Sequence, residues 1–424
     1  MNIFVLGADR NGALNQTTRS IHGIFPLWNV VPIQSGQMEK LNLGIAASDS
    51  AFCMTIRAGS ILLPAFRLHW EQMEQKLQEG LGWIQFLPAE EDKEYLDTFR
   101  SGEIGPVLWN ISLMRSAPFP GSEWLPFDTY VEVFAINQMG LYCNGLNMWL
   151  DNVWKPEKSK QIGWKRKEAE WKLVSPLLNY HKQTDQCTTP LVSVLMAVYN
   201  DEKYLKWAVH SITCQTFKDW ELIIIDDGSD VIAKNLMAEL VCGERIRVVR
   251  QDNNLGKAHA LNIGLSHVRG KWVLELDADD WLTPECIEIL HNATKSASNE
   301  VAFVYGNYYE WMEQRDGSLS LSSPRIFNPS MSERELLQRA TPLAPRFYRT
   351  ESLRDISGWY VSDPSNGRLY EDMLLILRLM NHFETKHVNK LLYHRRVRSS
   401  SITRNYNHQY EQWSEWAQHF NKLK

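Results

Sequence analysis

The chain reads as an α/β protein, with a mostly parallel sheet in its second half and a smaller, related α/β region in its first. Three observations predict this. From Pro190 onward, short apolar runs alternate with stretches of helical periodicity; two of those runs end in clustered acids; and one strand-and-turn pattern occurs twice in the chain.

Taken in order, residues 191–198 form an apolar run of the buried-strand type, and 201–215 have helical periodicity. A second apolar run, 221–225, leads into Asp226-Asp227-Gly228-Ser229. A helix around 233–240, a strand over 246–250 and a helix over 257–267 follow, and then a strand that runs into Asp277-Ala278-Asp279-Asp280. Strands alternating with helices in this way build a parallel sheet, whose ligands sit beyond the carboxyl ends of the strands. Both acidic clusters fall there. Close carboxylates repel one another, and a divalent metal is the usual way to keep them charged. An Asp-x-Asp pair offers hard oxygen ligands, which suit Mg²⁺ or Mn²⁺ on a diphosphate better than zinc. The alternative is a solvated acidic turn.

At 424 residues the chain is long enough for two domains, and a hydrophobic fraction of 44% is that of a globular protein. A net charge of -5 and a pI near 6.2 give no basic field for nucleic acid. The six cysteines lie far apart with no C-x-x-C pair, and the chain starts on a strand-like run with no secretory signal, so reduced thiols and a cytoplasmic location are expected. No apolar run reaches the roughly 18 residues of a spanning helix, which leaves a soluble or at most peripheral protein. Tyr410, Trp413, Trp416 and Phe420 recur at helical spacing and predict a C-terminal helix over 405–424 that docks on the body.

The first half echoes the second. Residues 41–64 align without gaps on 261–284, and Arg57-Ala58-Gly59-Ser60 stands where the second copy has Asp277-Ala278-Asp279-Asp280. Upstream, 20–36 echoes 211–228, with Gln34-Ser35-Gly36 in place of Asp226-Asp227-Gly228. Between the two echoes the first copy is shorter by about one helix and one strand, a structural unit rather than a trimmed loop. Residues 1–150 are expected to form this non-catalytic copy, 151–188 a linker or connecting helix, and 189–404 the working domain.

Several stretches together carry a resemblance: Val192 to Asn200, Gln215 to Ser229, Asn254-Leu255-Gly256-Lys257, Asn262-Ile263-Gly264 and Gly270 to Asp280. Over residues 190–404 the chain resembles glycosyltransferase family 2, whose fold is GT-A, a Rossmann-like nucleotide-binding domain with a mostly parallel mixed sheet. The first half then resembles a degenerate GT-A domain. The resemblance implies a base and ribose pocket at Ala197, Tyr199, Asn200 and Asp227; a carboxylate at Asp227 can accept the N3–H of uracil, which favours a UDP-sugar. It implies Asp277 and Ala278 near the ribose or sugar, and Asp279, helped by Asp280, holding Mn²⁺ or Mg²⁺ on the diphosphate. Lys257 adds positive charge, with a solvated helix start as the alternative. Glu371-Asp372 matches the acidic pair that opens a helix in the family, Asp372 being the general base; the alternative is first-turn acids on a helix dipole. Ser357-Gly358-Trp359 resembles the acceptor loop.

One motif departs from the family. Arg398 stands where a histidine is usual, and with Arg396 it forms a candidate diphosphate clamp, since a guanidinium binds phosphate but cannot ligate a metal. The function implied is metal-dependent, inverting transfer of a sugar from a nucleotide-sugar to a hydroxyl of a glycan, lipid-linked sugar or peptide. A non-catalytic nucleotide or carbohydrate binder and a nucleotidyltransferase are the alternatives. Sugar, acceptor and oligomeric state are not legible.

Overall fold

β-Branched and aromatic residues recur through the strands, as suits half-buried or fully buried pleated surfaces. The computed structural model describes residues 1–8, 11–34, 37–87, 105–115, 119, 131–140, 143–150, 152–155, 189–241, 244–298, 300–314, 319–322, 324–329, 331–339, 342–398 and 409–422. It divides into two units, Met1–Asn179 with Gln314–Leu319, and Tyr180–Glu313 with Ser320–Lys424. Apart from 152–155, the stretch expected to be a linker lies outside the described residues, as do Ser35, Gly36, Cys187 and Cys242. Cys53, Cys143, Cys214 and Cys286 are free thiols.

The first unit contains β1 (Asn2–Leu6), β2 (Asn29–Ile33), β3 (Phe52–Arg57), β4 (Ile61–Leu62), β5 (Trp83–Leu87), β6 (Val107–Asn110), β7 (Gly145–Trp149) and β8 (Trp154–Lys155). Six of them form one sheet in the order β2-β1-β3-β6-β5-β7, and β4 pairs with β8. The second unit contains β9 (Val192–Val198), β10 (Trp220–Asp227), β11 (Ile246–Gln251), β12 (Trp272–Glu275), β13 (Trp281–Leu282), β14 (Val301–Glu313), all but the first residue of β15 (Leu319–Leu321), β16 (Arg346–Arg349) and β17 (Glu384–Val397). Its sheet runs β11-β10-β9-β12-β16-β14-β17-β13, with β15 off this path.

Apart from β11 and β15, the strands of the two units correspond. β2-β1-β3 is parallel, as β10-β9-β12 is. β6 then pairs antiparallel with both β3 and β5, as β16 does with β12 and β14. β5 is parallel to β7, as β14 is to β17, and β4–β8 matches the antiparallel β13–β17 pair. Among the described residues the first unit has no counterpart of β11. That is the strand, with its helix, by which the first copy was expected to be shorter.

Packing explains a shared glycine. The helix Lys257–Ser266 buries Ala258, Leu261 and Leu265, and a Cβ on its Gly264 would lie 2.7 Å from Ile225 on β10. In the first unit a Cβ on Gly44 would lie 2.7 Å from Phe4 on β1. The helix Met38–Ala46 and the helix Lys257–Ser266 thus each approach a strand side chain so closely that any larger residue would have to displace it. At the chain's end, the helix Tyr410–Lys422 buries Trp413, whose indole donates to Asp363, and stacks Trp416 and Phe420 around Tyr360.

Candidate active site

β10, β9 and β12 are neighbours and parallel, so their carboxyl ends open on one edge of the sheet. Tyr199 and Asn200 follow β9, Asp226 and Asp227 end β10, and Asp277 to Asp280 follow β12. Tyr199 is 48% exposed, which leaves its ring available for stacking. Asn200 has a left-handed backbone and accepts from the Asp230 amide, while Asp230 caps the next helix. Ala197 is half-buried. Asp227 is buried and accepts the backbone N–H groups of Leu255 and Gly256, each at 2.9 Å, so it holds the Asn254–Lys257 loop against β10. Each carboxylate oxygen keeps a lone pair for a second donor.

The centre of the site is an ion network. Lys257 Nζ meets Asp277 at 2.6 Å, Glu371 at 2.9 Å and Glu275 at 3.0 Å. Arg346, at the start of β16, meets Asp277 at 2.7 Å, Asp372 at 3.0 Å and Glu275 at 3.2 Å. Two cations are thus shared among four acids drawn from β12, the turn after it and the start of the helix Glu371–Met380. Lys257, half-buried, is an ion partner of three of these acids. Burial works against the charges of Asp277, Lys257 and Arg346. The opposite charges prevail: Asp277, between Arg346 and Lys257, is held well below the usual carboxylate range, and both cations are pushed up.

Glu371 differs. Burial, aided by the charges of Asp372 and Glu275, outweighs Lys257 and lifts it to about 7. Because this lies above the value of an unfolded Glu, proton uptake favours the folded protein; that stabilisation is complete at low pH and is lost as pH rises through about 7. The ionised form is the one that pairs with Lys257. Activity is therefore expected to rise through the same pH region while thermal stability falls. Glu371→Gln, which fixes a neutral side chain at this position, is expected to remove both transitions and to hold the rate near its low-pH value at every pH. A pH–rate profile beside pH-dependent melting checks this, and complete loss of activity would make Glu371 the base instead.

Two expected roles need correction. Asp280 was expected to help Asp279 hold a metal, yet it is 4% exposed and both its oxygens are engaged, one by the Tyr393 hydroxyl and one by the Arg396 amide, each at 2.7 Å. Burial, with repulsion from Asp279 and Asp277, pushes its carboxyl well up, so it acts as a buried anchor for β17. Trp359 was expected to face an acceptor, but it is 1% exposed and packs edge-on against Tyr348 with ring centroids 6.1 Å apart.

The loop that carries Trp359 is nonetheless tightly set. Asn262 donates to the Trp359 carbonyl at 2.7 Å and accepts its amide at 2.8 Å. Gly358 has φ +67°, and a Cβ there would meet the Asn262 side chain. Gly358→Ala is expected to destabilise the chain by about 1–3 kcal/mol, measured by denaturant unfolding. A cavity of about 480 Å³ beside the loop is lined by Asn262, Trp359, Tyr360, Arg378 and Phe420, among others, and by none of the strand-end acids.

Asp279 and Arg398 form a second ion cluster. Arg398 meets Asp279 at 2.7 Å and Asp201 at 2.9 Å, and lies 4.7 Å from the centre of the Tyr204 ring. Arg396 lies 4.5 Å from the same ring and donates its Nε–H to the Asp279 carbonyl at 3.0 Å. Ala278 is buried between these acids. Asp201, at the N-cap of the helix Glu202–Thr213, makes no capping bond.

A divalent cation on a diphosphate takes about six oxygen ligands, of which the protein usually supplies one or two carboxylates and the phosphates and waters supply the rest. Here Asp277 is held by Lys257 and Arg346, Asp280 by Tyr393 and the β17 backbone, and Asp279 by Arg398. Among the described residues no group of three or more His, Cys, Asp or Glu is arranged to hold a metal. With Asp277, Asp279 and Asp280 each already paired, the donor set does not fit Mn²⁺ or Mg²⁺.

Residue by residue, the geometry brings Lys257, Asp277, Glu371 and Asp372 into one network and Asp279, Arg396 and Arg398 into another. Arg346, Glu275, Asp201, Tyr204 and Tyr393 were not foreseen. The signal available for Arg346 was a charge opening the apolar run Arg346-Phe347-Tyr348, since a charge entering a core needs partners.

The sequence model of the family described as Glycosyl transferase family 2 matches residues 193–355. This stretch is a family 2 glycosyltransferase domain. The GT-A-type architecture expected for it is the mixed, parallel-rich sheet described above. Glycosyltransferase GlyG of Streptococcus pneumoniae is 36% identical over 129 residues, covering 30% of this chain and 42% of that protein. Putative glycosyltransferase EpsH of Bacillus subtilis is 29% identical over 227 residues, covering 51% and 64%. The chain thus spans less than two thirds of either relative. Among solved structures, S. aureus TarS 1-349 in complex with UDP-GlcNAc gives a TM-score of 0.38 at 19% identity, covering 50% of this chain and 59% of that one. The mannosyltransferase PcManGT from Pyrobaculum calidifontis, in complex with GDP-Man and Mn²⁺, gives 0.39 at 18%, covering 57% and 68%. These two likenesses are too loose to assign a ligand to this chain. No helix among the described residues is long and apolar enough to cross a membrane.

Proposed function

We propose that the second unit transfers a sugar from a nucleotide-sugar, most favourably a UDP-sugar, to an acceptor hydroxyl with inversion at the anomeric carbon. The observation that carries this reading is the convergence on one sheet edge of the β9, β10 and β12 ends, tied through Arg346 to the acid pair that opens the helix Glu371–Met380. Tyr199 offers a face to the nucleobase, and Asp227 has acceptor capacity left for a ring N–H. Asp277, fixed by Lys257 and Arg346, faces the ribose or sugar.

Asp372 is the general base. Its Oδ2 is oriented by Arg346 at 3.0 Å and its Oδ1 by the Met373 amide at 2.8 Å. It accepts the proton of the acceptor hydroxyl as that oxygen attacks C1 of the sugar; the new C1–O bond forms while the bond to the diphosphate breaks on the opposite face. One in-line displacement inverts the configuration. Charge gathering on the departing diphosphate requires fixed positive groups, and Arg396 and Arg398 take this role; their shared position against the Tyr204 ring supports it. No step is routed through Mn²⁺ or Mg²⁺, because the donor set does not fit either ion.

The first unit supports or positions rather than binding a donor. Where Glu275 pairs with Arg346 across β12–β16, the first unit pairs Thr55 with Val107 across β3–β6. Where Asp277 follows β12, β3 ends in Arg57, which meets the buried Glu132 of the helix Val131–Gly140 at 2.8 Å. Charge is reversed at the strand end and neutralised internally. A donor screen with mass spectrometry of the products tests the whole reading; nucleotide bound without any sugar transferred would favour a binding protein.

A further inference from the structure

We propose that Arg398, rather than a divalent metal, supplies the positive charge that faces the donor's diphosphate, with Arg396 beside it. This rests on the transferase reading above and deepens it.

Three features of the site converge. First, Asp279 is the one strand-end acid whose carboxylate is left to this part of the site, and Arg398 meets it at 2.7 Å. Second, the guanidinium is built into place. Asp201 at 2.9 Å fixes its other terminal nitrogen and the Tyr204 ring lies 4.7 Å away, while Tyr204 is itself held by Glu313 at 2.9 Å. Its Nε is buried with no hydrogen-bond partner among the described residues. Third, Arg396 lies 4.5 Å from the Tyr204 ring and 5.2 Å from the Trp281 ring, so two guanidiniums share one aromatic support. Burial opposes the charge of Arg398, but Asp279 and Asp201 hold it above the usual arginine value, so it stays cationic at any working pH.

A planar guanidinium suits this task. It offers parallel N–H donors to phosphate oxygens and keeps its charge when partly desolvated. In transfer, the C1–O bond to the diphosphate breaks with its electron pair going to the diphosphate oxygen, and Arg398 and Arg396 meet that charge. Asp279 and Asp201 hold Arg398 in position beforehand, so Asp279 acts through Arg398 as a positioning residue.

The test is calorimetric titration of the intact chain with UDP and with GDP, in EDTA and in Mn²⁺, alongside transfer assays under both conditions. We expect binding and turnover to survive EDTA with no more than about a twofold change. Arg398→Ala is expected to weaken the nucleotide by roughly 10- to 100-fold, as for the loss of one charge-assisted hydrogen bond, with the folded circular dichroism spectrum retained. Arg398→His, which restores an imidazole, is expected to bind and turn over only when Mn²⁺ is added. Wild-type binding or activity that appears only with Mn²⁺ overturns this proposal and leaves the transferase reading standing. No binding of either nucleotide under any condition overturns both.

Discussion

Asp372→Asn is expected to lower kcat for sugar transfer by about 10²- to 10⁴-fold, the usual contribution of a positioned general base. The amide keeps the shape of the side chain and one oxygen for Arg346 or the Met373 amide, so the fold and nucleotide affinity are expected to persist. The measurement is steady-state transfer with UDP titration on the same preparation. Lost turnover with retained binding is the signature of a base. Parallel loss of both would instead mean that Asp372 serves the network around Arg346.

Arg346→Met is expected to destabilise the chain by about 3–5 kcal/mol, because removing one partner of a buried ion cluster leaves the others charged without compensation. Glu275 is fully buried and has its hydrogen-bonded neighbour in Tyr348, while Asp277 and Asp372 would each lose a guanidinium nitrogen within 3.0 Å. Denaturant unfolding reads this loss directly. Arg346→Lys is expected to recover part of the stability but little activity, since a single ammonium cannot reproduce the two-sided fork between Asp277 and Asp372. Stability unchanged in Arg346→Met would mean that the acids are paired elsewhere.

The sheet was legible because its strands are continuous apolar runs of the kind that parallel sheets bury on both faces. All eight residues of β10 are buried, and the runs end where acids begin. The repeat was legible for a related reason. Gly44 and Gly264 answer to the same close helix–strand approach, so the scaffold left its mark even where the acids are gone. Side-chain direction was not legible. In Asp277-Ala278-Asp279-Asp280, spacing alone cannot tell that Asp277 joins Arg346 from 69 residues away, that Asp280 faces Tyr393 and the β17 backbone, or that only Asp279 is left for Arg398. Trp359 misled in the same way, because a glycine-aromatic loop reads alike whether the ring turns outward or, as here, into the core. The missing information is long-range pairing, which appears once β16 and β17 are laid against β12 and β13.

The most direct test of the central claim is release of UDP from a panel of UDP-sugars, with mass spectrometry of acceptor-containing extract, for the wild-type chain and for Asp372→Asn, after both have been shown to bind UDP. The account predicts UDP release and a hexose-type or N-acetylhexosamine-type mass increment on an acceptor with the wild-type chain, and bound nucleotide without turnover in the variant. Equal turnover by the two proteins, or UDP binding by the wild-type chain with no transfer from any donor, would contradict it.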